Sequence, residues 1–254
     1  MKPPIDDRAI KQAADLIKNA RHAVVLTGAG ISTPSEIPDF RSAGSGLWTK
    51  NDPMWVASYT AFRHRPQDFF DWLQPLARLA YYAQPNPAHY GLVQMEKSNL
   101  LKAVITQNID DLHHKAGSEN IIEIHGSMRL LECPQCQTQY QLSEFVESFI
   151  ERAEPPRCRV CASFLKPGIT LYEEMLPAEA WNNAQWHSEN CDVMLVIGSS
   201  LETIPAGHLP VFAIENNAHL IINTFSETPL DLEADLVFRQ DVVEFVTELV
   251  KNLL

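Results

Sequence analysis

Two pairs of cysteines have the spacing of a metal site. Cys133 and Cys136 form the first pair, Cys158 and Cys161 form the second, and 21 residues separate the pairs. In a reducing compartment, two such pairs are typical of a tetrahedral thiolate zinc site, and four thiolates leave no coordination position open. We therefore expect one structural zinc ion per chain. Disulfide pairing is the alternative, which the compartment disfavours.

A histidine and a glycine turn end an apolar run. His125 follows Ile121-Ile-Glu-Ile124 and precedes Gly126. A neutral imidazole can accept a proton near neutral pH because its reference pKa is about 6.5. This segment alone favours a histidine that caps a turn, and a general base is the alternative. We expect His113 and His114, on a predicted helix, to lie at the surface or behind a site.

Two further segments carry groups that could bind a ligand. Gly28-Ala29-Gly30 follows an apolar run, and its backbone, with a helix N-terminus, could approach a pyrophosphate closely; a tight turn is equally compatible because Thr33 replaces the third glycine of the dinucleotide fingerprint. Gln107-Asn108-Ile-Asp110 offers a donor and an acceptor, as a primary carboxamide such as nicotinamide requires. A helix cap explains the second segment equally well.

Short apolar runs and helical patterns alternate along the chain. The runs are residues 23–27, 103–106, 193–197, 220–222 and, more weakly, 236–238, and the clearest helical patterns span 6–19 and 242–253. Unbroken β-branched runs indicate strands buried on both faces, so we predict an α/β fold with a doubly wound, Rossmann-like parallel sheet. Small and polar residues follow all five runs. Such a sheet binds ligands at this edge.

Two segments do not fit that sheet. Residues 45–85 are rich in aromatic side chains and suggest short helices and loops, and residues 129–168 hold the paired cysteines. We expect both to form a smaller inserted domain with a zinc ribbon and a helical module, while residues 1–44, 86–128 and 169–254 form the large domain. The cleft between the two domains is then the natural site.

Composition excludes several classes of protein. The chain has 254 residues, of which 45% are hydrophobic and 20% charged, and its net charge of -12 disfavours nucleic acid as a partner. Its acidic surface could attract lysine-rich peptides, although solubility alone is the favoured explanation. The N-terminus lacks an apolar signal region and no run reaches membrane-spanning length, so we expect a cytoplasmic protein without a membrane partner. Its oligomeric state stays open, with a monomer favoured.

Together these motifs resemble the sirtuin family. The resemblance covers about residues 20 to 245 and follows the order of the family's motifs. The matching segments are Gly28-Ala-Gly-Ile-Ser-Thr-Pro-Ser-Glu-Ile-Pro-Asp-Phe-Arg41, Thr106-Gln-Asn-Ile-Asp-Asp-Leu-His113 with Ala116-Gly117, Ile124-His-Gly-Ser127 before the cysteines, Gly198-Ser-Ser-Leu201 with Pro205-Ala206, Ile222-Asn223 and Ala234-Asp-Leu-Val237.

The resemblance implies an NAD-dependent lysine deacylase that transfers the acyl group to ADP-ribose and releases nicotinamide. It implies that His125 is the general base and that an acylated-lysine protein or peptide is the substrate. The NAD contacts it implies are Gly28, Ala29 and Gly30 at the pyrophosphate; Asp39, Phe40 and Arg41 on a mobile loop; Gln107, Asn108 and Asp110 at the nicotinamide and its ribose; and Gly198, Ser199, Ser200, Asn223, Asp241 and Val242 at the adenosine half.

Other activities are compatible with the same pocket. NAD-dependent protein ADP-ribosylation and plain NAD hydrolysis are the enzymatic alternatives. A catalytically inactive NAD-sensing or zinc-ribbon interaction module is the alternative from another class, and the presence of His125 and Asn108 disfavours it.

Three positions depart from the family pattern, because Glu36, Asp111 and Glu173 stand where glycine is usual. Thr170, Tyr172 and Glu173 lie in the stretch that resembles the family's peptide-pairing segment, and we hypothesise that Glu173 favours substrates with flanking Lys or Arg. The family's Tyr-x-x-Arg pair for acidic acyl groups is missing, since its expected positions hold Leu73 and Leu76. We therefore expect acetyl and longer neutral acyl groups to be preferred over acidic ones.

Overall fold

The computed structural model describes residues 6–39, 46–49 and 51–254. Its strands are β1 Ala23–Thr27, β2 Ala103–Thr106, β3 Ile121–Glu123, β4 Gly126–Glu132, β5 Gln139–Gln141, β6 Lys166–Ile169, β7 Val193–Ile197, β8 His219–Asn223 and β9 Leu236–Phe238. Its α-helices are α1 Asp7–Asn19, α2 Pro53–Val56, α3 Tyr59–His64, α4 Pro66–Tyr82, α5 Pro87–Lys97, α6 Leu112–Ala116, α7 Ala178–Asn190, α8 Leu209–Glu215 and α9 Val242–Leu253. None of the helices in these ranges has both the length and the apolar character that crossing a bilayer requires.

Six strands form one parallel sheet, in the order β3-β2-β1-β7-β8-β9. The chain builds outward from β1 to β2 and β3, crosses back to place β7 on the other side of β1, and continues outward to β8 and β9. The connections after β1 and β7 therefore leave in opposite directions. Open parallel sheets bind ligands at such a switch point, at the carboxyl ends of the strands. The predicted doubly wound fold is confirmed.

Strand β1 shows why this sheet is covered on both faces. All five of its residues are buried. Val25 packs into a core with α1, α5 and α9, whereas Val24 and Leu26 pack into a second core with α7 and α8. Successive side chains of a strand point to opposite faces, so an unbroken apolar run needs a helical layer on each side.

The sheet has one strand more than the five that the sequence predicts. β3 pairs in parallel with β2 at the edge of the sheet, with Thr106 opposite Glu123. The apolar run before His125 is thus a strand of the main sheet. His125 therefore lies at the same edge as the turns after β1 and β2.

A second, smaller unit has its own core. Its antiparallel sheet has the order β5-β4-β6, and α4 packs against it. Phe69 and Phe70 from α4, Phe149 from the cysteine segment and Leu165 before β6 are buried together there. The aromatic segment and the cysteine segment, far apart in sequence, are thus brought into one cluster.

Helix α4 is longer than the sequence predicts. Residues 66–82 form one helix of 17 residues, with Pro75 inside it, rather than several short helices. Proline removes a backbone donor and usually ends or kinks a helix, which argued for shorter elements. The exposed Pro75 lies opposite a stripe of buried residues at helical spacing, from Phe69 to Ala80. Packing of that stripe outweighs the local cost of the proline.

Candidate active site

The turns after β1 and β7 cross at the switch point in direct backbone contact. The N–H of Gly30 donates to the carbonyl of Gly198 at 2.9 Å. A Cβ at Gly30 would lie 2.7 Å from Cα of Gly198, and a Cβ at Gly198, where φ is +67°, would lie 2.4 Å from the nitrogen of Ile31. Only glycine permits so close a crossing.

This crossing leaves three backbone donors available. Within the described chain, the N–H groups of Ala29, Ser199 and Ser200 donate to no other residue. A 3-10 turn, Ala29–Ile31, follows β1 instead of an α-helix, so an anion here would be held by loop N–H groups rather than by the helix N-terminus that the sequence suggests. Loop N–H groups that point to one place are a common phosphate site.

A cavity of about 1140 Å³ opens at this edge of the sheet. It exceeds the usual range of roughly 300–1,000 Å³ for small-molecule sites, so it has room for a dinucleotide and part of a second ligand. Its lining contains the carboxylates of Asp39, Glu173, Glu174 and Glu202, and among the described residues it contains no lysine or arginine. Within the described residues, the donors that an anion could meet here are backbone N–H groups and neutral side chains.

Asn108 is held at the wall of this cavity by a buried network. Its Nδ2 donates to the carbonyl of Gly28 at 3.2 Å and to Oγ of Ser32 at 3.1 Å. Ser32 in turn donates to Oδ2 of Asp110 at 2.6 Å. Because both amide hydrogens are used, the Asn108 side chain is fixed, and its Oδ1 accepts no bond from another described residue. This oxygen can accept a hydrogen bond from a ligand.

Asp110 supports this network from behind. It is buried and does not line the cavity, and its Oδ1 accepts from the N–H of Leu112 at 3.0 Å. Burial raises the pKa of Asp110 above its usual value, more than the bonds from Ser32 and Leu112 lower it. Asp110 therefore orients Ser32 and, through it, Asn108.

The ring of His125 has a defined tautomer. Its Nδ1 lies 2.8 Å from the carbonyl oxygen of Gln107. A carbonyl oxygen only accepts, so Nδ1 carries the hydrogen and Nε2 of the neutral ring holds a lone pair. Burial lowers the pKa of His125 from 6.5, opposed in part by the bond to Gln107. The ring is neutral at pH 7 and lines the cavity, so it can accept a proton from a bound ligand.

A second histidine, His113, lies behind the site. Oγ1 of Thr27 donates to Thr106 at 2.8 Å and lies 2.9 Å from Nε2 of His113, which must therefore donate to Thr27. Complete burial holds the pKa of His113 well below 6.5. Because His113 does not line the cavity, it cannot contact a ligand there.

The structure brings most of the predicted site residues to this cavity. The lining includes Gly28, Ala29, Gly30, Asp39, Gln107, Asn108, His125, Thr170, Tyr172, Glu173, Gly198, Ser199, Ser200 and Val242. Asn223 and Asp241 are not among the lining residues. The Asn223 amide donates to the carbonyl of Gln240 at 3.2 Å, and Asp241 caps the N-terminus of α9. Phe40 and Arg41 lie outside the described residues.

Several residues of the site were missed. Ser32 is buried and bonds Asn108 to Asp110 without lining the cavity, and a hydroxyl in the glycine-rich motif could have been singled out. Trp48 and Trp72 stack with ring centroids 5.8 Å apart, and both line the cavity beside Tyr172. No local pattern marks these tryptophans, because an aromatic residue in a core and one in a cavity wall look alike in sequence.

The four paired cysteines meet in the small unit. Their Sγ atoms all lie within 4.8 Å of one another, with separations of 3.4 Å for Cys133 and Cys161, 3.5 Å for Cys136 and Cys158, and 3.7 Å for Cys136 and Cys161. Sulfurs placed tetrahedrally about 2.3 Å from one zinc ion stand about 3.8 Å apart. No pair is joined as a disulfide. The arrangement fits a closed structural zinc site.

Known proteins match both the sequence and the fold. The Sir2 family model matches residues 28–205. "NAD-dependent protein deacylase 2" of Archaeoglobus fulgidus is 44% identical, with 87% of each chain covered, and the "NAD-dependent protein deacetylase" of Sulfolobus acidocaldarius is 41% identical, with 96% of this chain and 94% of that protein covered. A structure of a Sir2 protein with a p53 peptide and NAD⁺ has a TM-score of 0.87 at 37% identity, covering 95% of this chain and 97% of that one.

The fold and the cavity thus define a nucleotide-binding α/β protein with a small metal-stabilised unit. The family match extends over most of the chain, from the glycine-rich turn through the cysteines to the turn after β7. The chain belongs to the Sir2 family, the family that its motifs resemble.

The zinc site gives a first prediction. Cys133→Ala should release the metal and destabilise the small unit, because a closed thiolate site contributes directly to folding. Zinc measured per chain and thermal unfolding would test this. Cys191→Ala is the matched control, since Cys191 is also buried but lies outside the cluster. Freshly purified active enzyme with almost no zinc would contradict the assignment.

Proposed function

We propose that this chain is an NAD-dependent protein lysine deacylase, which transfers the acyl group from lysine to ADP-ribose with release of nicotinamide. The observation that carries the proposal is that His125 and Asn108 line the same cavity as the two crossing glycine turns. The names of its relatives support it, and so does a related structure with a deacetylated p53 peptide and 3'-O-acetyl ADP ribose, whose TM-score is 0.90.

The residues of the large sheet divide the binding of NAD between them. Two features suit the pyrophosphate and the adenosine half of NAD, next to Val242. One is the set of free N–H groups of Ala29, Ser199 and Ser200, and the other is the space beside Gly28, Gly30 and Gly198. Gln107 donates from Nε2 to Oγ of Ser199 at 2.8 Å, which links the two halves of the site. Asn223 and Asp241 support the site indirectly. Asn223 binds the segment before α9 through the carbonyl of Gln240, and Asp241 caps the N-terminus of α9.

The remaining lining residues serve the reaction itself. When bound, NAD supplies an electrophilic ribose carbon and the ADP-ribose group that receives the acyl group. Asn108 presents Oδ1 to the ribose and nicotinamide region, with Asp110 holding it through Ser32. His125 accepts a proton at Nε2 from a ribose hydroxyl while Nδ1 stays bonded to Gln107. Positioning and the exclusion of water account for the rest of the rate.

The substrate peptide binds at the part of the cavity that Thr170, Tyr172 and Glu173 line. The N–H of Thr170 donates to the carbonyl of His125 at 2.8 Å. The peptide-pairing segment is therefore connected directly to the residue that moves the proton.

Three broader features are part of the proposal. We place the large domain in residues 1–44, 86–128 and 169–254 and the small domain in 45–85 and 129–168, with the cavity between them. Cysteines paired for a metal rather than for disulfides favour a cytoplasmic protein. We propose a monomer that binds neither nucleic acid nor membrane, which the net charge of -12 supports for nucleic acid.

Product analysis tests the proposed activity. An acetyl-lysine peptide incubated with NAD should give free lysine peptide, nicotinamide and O-acetyl-ADP-ribose, detected by mass spectrometry. ADP-ribosylated protein or free ADP-ribose as the main product would instead identify a transferase or a hydrolase. NAD binding without turnover would indicate a sensing module.

His125 gives a prediction with a defined pH dependence. His125→Ala should keep most NAD affinity, measured by calorimetry, and lose at least about 10²-fold in turnover, as expected for a general base. In the wild type, the base is the neutral ring, so activity should be full above its pKa and fall as pH drops through it. Because burial lowers that pKa from 6.5, the acid limb should lie below pH 6.5. Near wild-type turnover in the variant would assign the base to another residue.

The acyl group is the next prediction. Trp48 and Trp72 form an apolar wall of the cavity, whereas Leu73 is buried in the small core. Arg65 stacks on Trp55 at 3.7 Å and Arg78 pairs with Glu151, so neither faces the cavity. A buried succinyl carboxylate would have no cationic partner among the described residues, which is costly. Acetyl-lysine should therefore be preferred over succinyl-lysine by at least about tenfold in kcat/KM.

Matched peptides that differ only in the acyl group measure this preference. Butanoyl-lysine serves as the neutral control of similar length, and it should be removed faster than succinyl-lysine. Equal or better removal of the succinyl group would mean that a basic side chain reaches the pocket.

A further inference from the structure

The peptide-pairing segment is bonded to the helical module of the small unit. The N–H of Tyr172 donates to the carbonyl of Ala57 at 3.1 Å, and the carbonyl of Tyr172 accepts from the N–H of Tyr59 at 3.0 Å. Thr170 is bonded on its other side to His125. The segment thus spans from the catalytic histidine to the start of α3.

The side chain of Glu173 makes one more connection of this kind. Its Oε2 accepts from the N–H of Thr60 at 2.8 Å. Thr60 lies in the first turn of α3, where N–H groups have no acceptor within the helix. The bond therefore satisfies a donor that would otherwise depend on water, and it is made by a residue that is absent from the usual family pattern.

The backbone of Glu173 is in an unusual conformation. Its φ is +77°, in the left-handed region that favours glycine. A non-glycine residue stays there only when surrounding contacts hold it, and the bond to Thr60 is such a contact. The side chain thus compensates for the loss of the glycine that it replaces.

The same backbone is available to a ligand. Glu173 lines the cavity, and its own N–H and C=O bond to no other residue in the described ranges. The flanking backbone groups of Tyr172 and the N–H of Glu174 already have partners within the chain. An extended peptide that pairs with this segment would therefore find the free groups of Glu173, and φ at this residue sets their direction.

We infer that Glu173 is a positioning residue for the substrate peptide: by accepting from Thr60, its carboxylate holds the peptide-pairing backbone of the cavity in place. The inference rests on the proposed function, because it takes the ligand of this segment to be an acyl-lysine peptide. It differs from the hypothesis that Glu173 attracts flanking Lys or Arg, since a bond that orients the backbone needs an acceptor oxygen but no negative charge.

Three substitutions separate these roles. Glu173→Gln keeps an oxygen for Thr60 and removes the charge, so peptide affinity should stay within about twofold of wild type. Glu173→Gly loses the bond but tolerates the left-handed conformation, and should bind less tightly. Glu173→Ala loses the bond and disfavours that conformation, so it should weaken peptide binding most, roughly three- to tenfold, the range expected for one hydrogen bond. Glu179→Ala removes an exposed carboxylate that does not line the cavity and should have no effect.

Two measurements are needed. Fluorescence anisotropy of a labelled acetyl-lysine peptide gives its affinity without turnover, and steady-state kinetics separates KM from kcat. The KM for peptide should rise in the order Gln, Gly, Ala, while kcat and the KM for NAD stay within about twofold, because the contacts of His125 are unchanged. Thermal unfolding of Glu173→Ala verifies that the variant is folded.

Two results would overturn the inference. One is equal peptide affinity in all three variants. The other is an equal loss in Gln and Ala that is confined to peptides with flanking Lys or Arg and disappears at high salt, which would assign Glu173 to charge attraction. Failure of the proposed function is distinguishable, because it would appear in the wild type as the absence of O-acetyl-ADP-ribose.

Discussion

The close crossing of the turns after β1 and β7 is the constraint on which the rest of the site depends. Gly30 and Gly198 are in van der Waals and hydrogen-bond contact, and a side chain on either would collide with backbone. Gly198 also donates to the carbonyl of Asn223 at 2.8 Å, so the turn after β7 is fixed from both sides. The free N–H groups of the two turns are held together as a result. The cavity exists because the chain reverses its direction of growth at this point.

A chain of buried hydrogen bonds connects the turn after β1 to Asn108. Gly28 accepts from Asn108, Asn108 donates to Ser32, and Ser32 donates to Asp110. A buried network of this kind is stable only when its members are satisfied, and it then fixes one geometry. Asn108 can present an unpaired oxygen to a ligand because its own donors are both in use. His125 has one fixed tautomer for the same reason, since the carbonyl of Gln107 determines which nitrogen carries the hydrogen.

Three acidic residues occupy left-handed positions where the family pattern has glycine. Glu36, Asp111 and Glu173 have φ values of 67°, 67° and 77°. Such a conformation costs about 1–2 kcal/mol for a residue with a Cβ. At Asp111, this cost is offset by an ion pair with Arg129 at 3.0 Å, and Arg129 also binds Glu123 at 2.6 Å. At Glu173, it is offset by the bond to Thr60. Glu36 ends the 3-10 turn Thr33–Ser35, where backbone bonds from Glu36 to Thr33 and from Ile37 to Ser32 close the turn, and its side chain has no such partner among the described residues.

Local patterns in the sequence were sufficient for five of the six strands of the large sheet and for the metal site. His125 was singled out as a general base only through the family resemblance, since its own segment favoured a histidine that caps a turn. An unbroken apolar run is stable as a strand only when both of its faces are buried, and two C-x-x-C pairs are typical of a zinc site. The strands and the metal site therefore follow from residue type and spacing alone. Tertiary structure decided what distant segments do together. It placed Trp48 and Trp72 in one wall of the cavity. It left Asp110 out of the cavity lining, where its carboxylate accepts from Ser32. It also brought Glu173 into contact with Thr60, 113 positions away in sequence. Such contacts depend on how separate elements pack, and no local spacing encodes them.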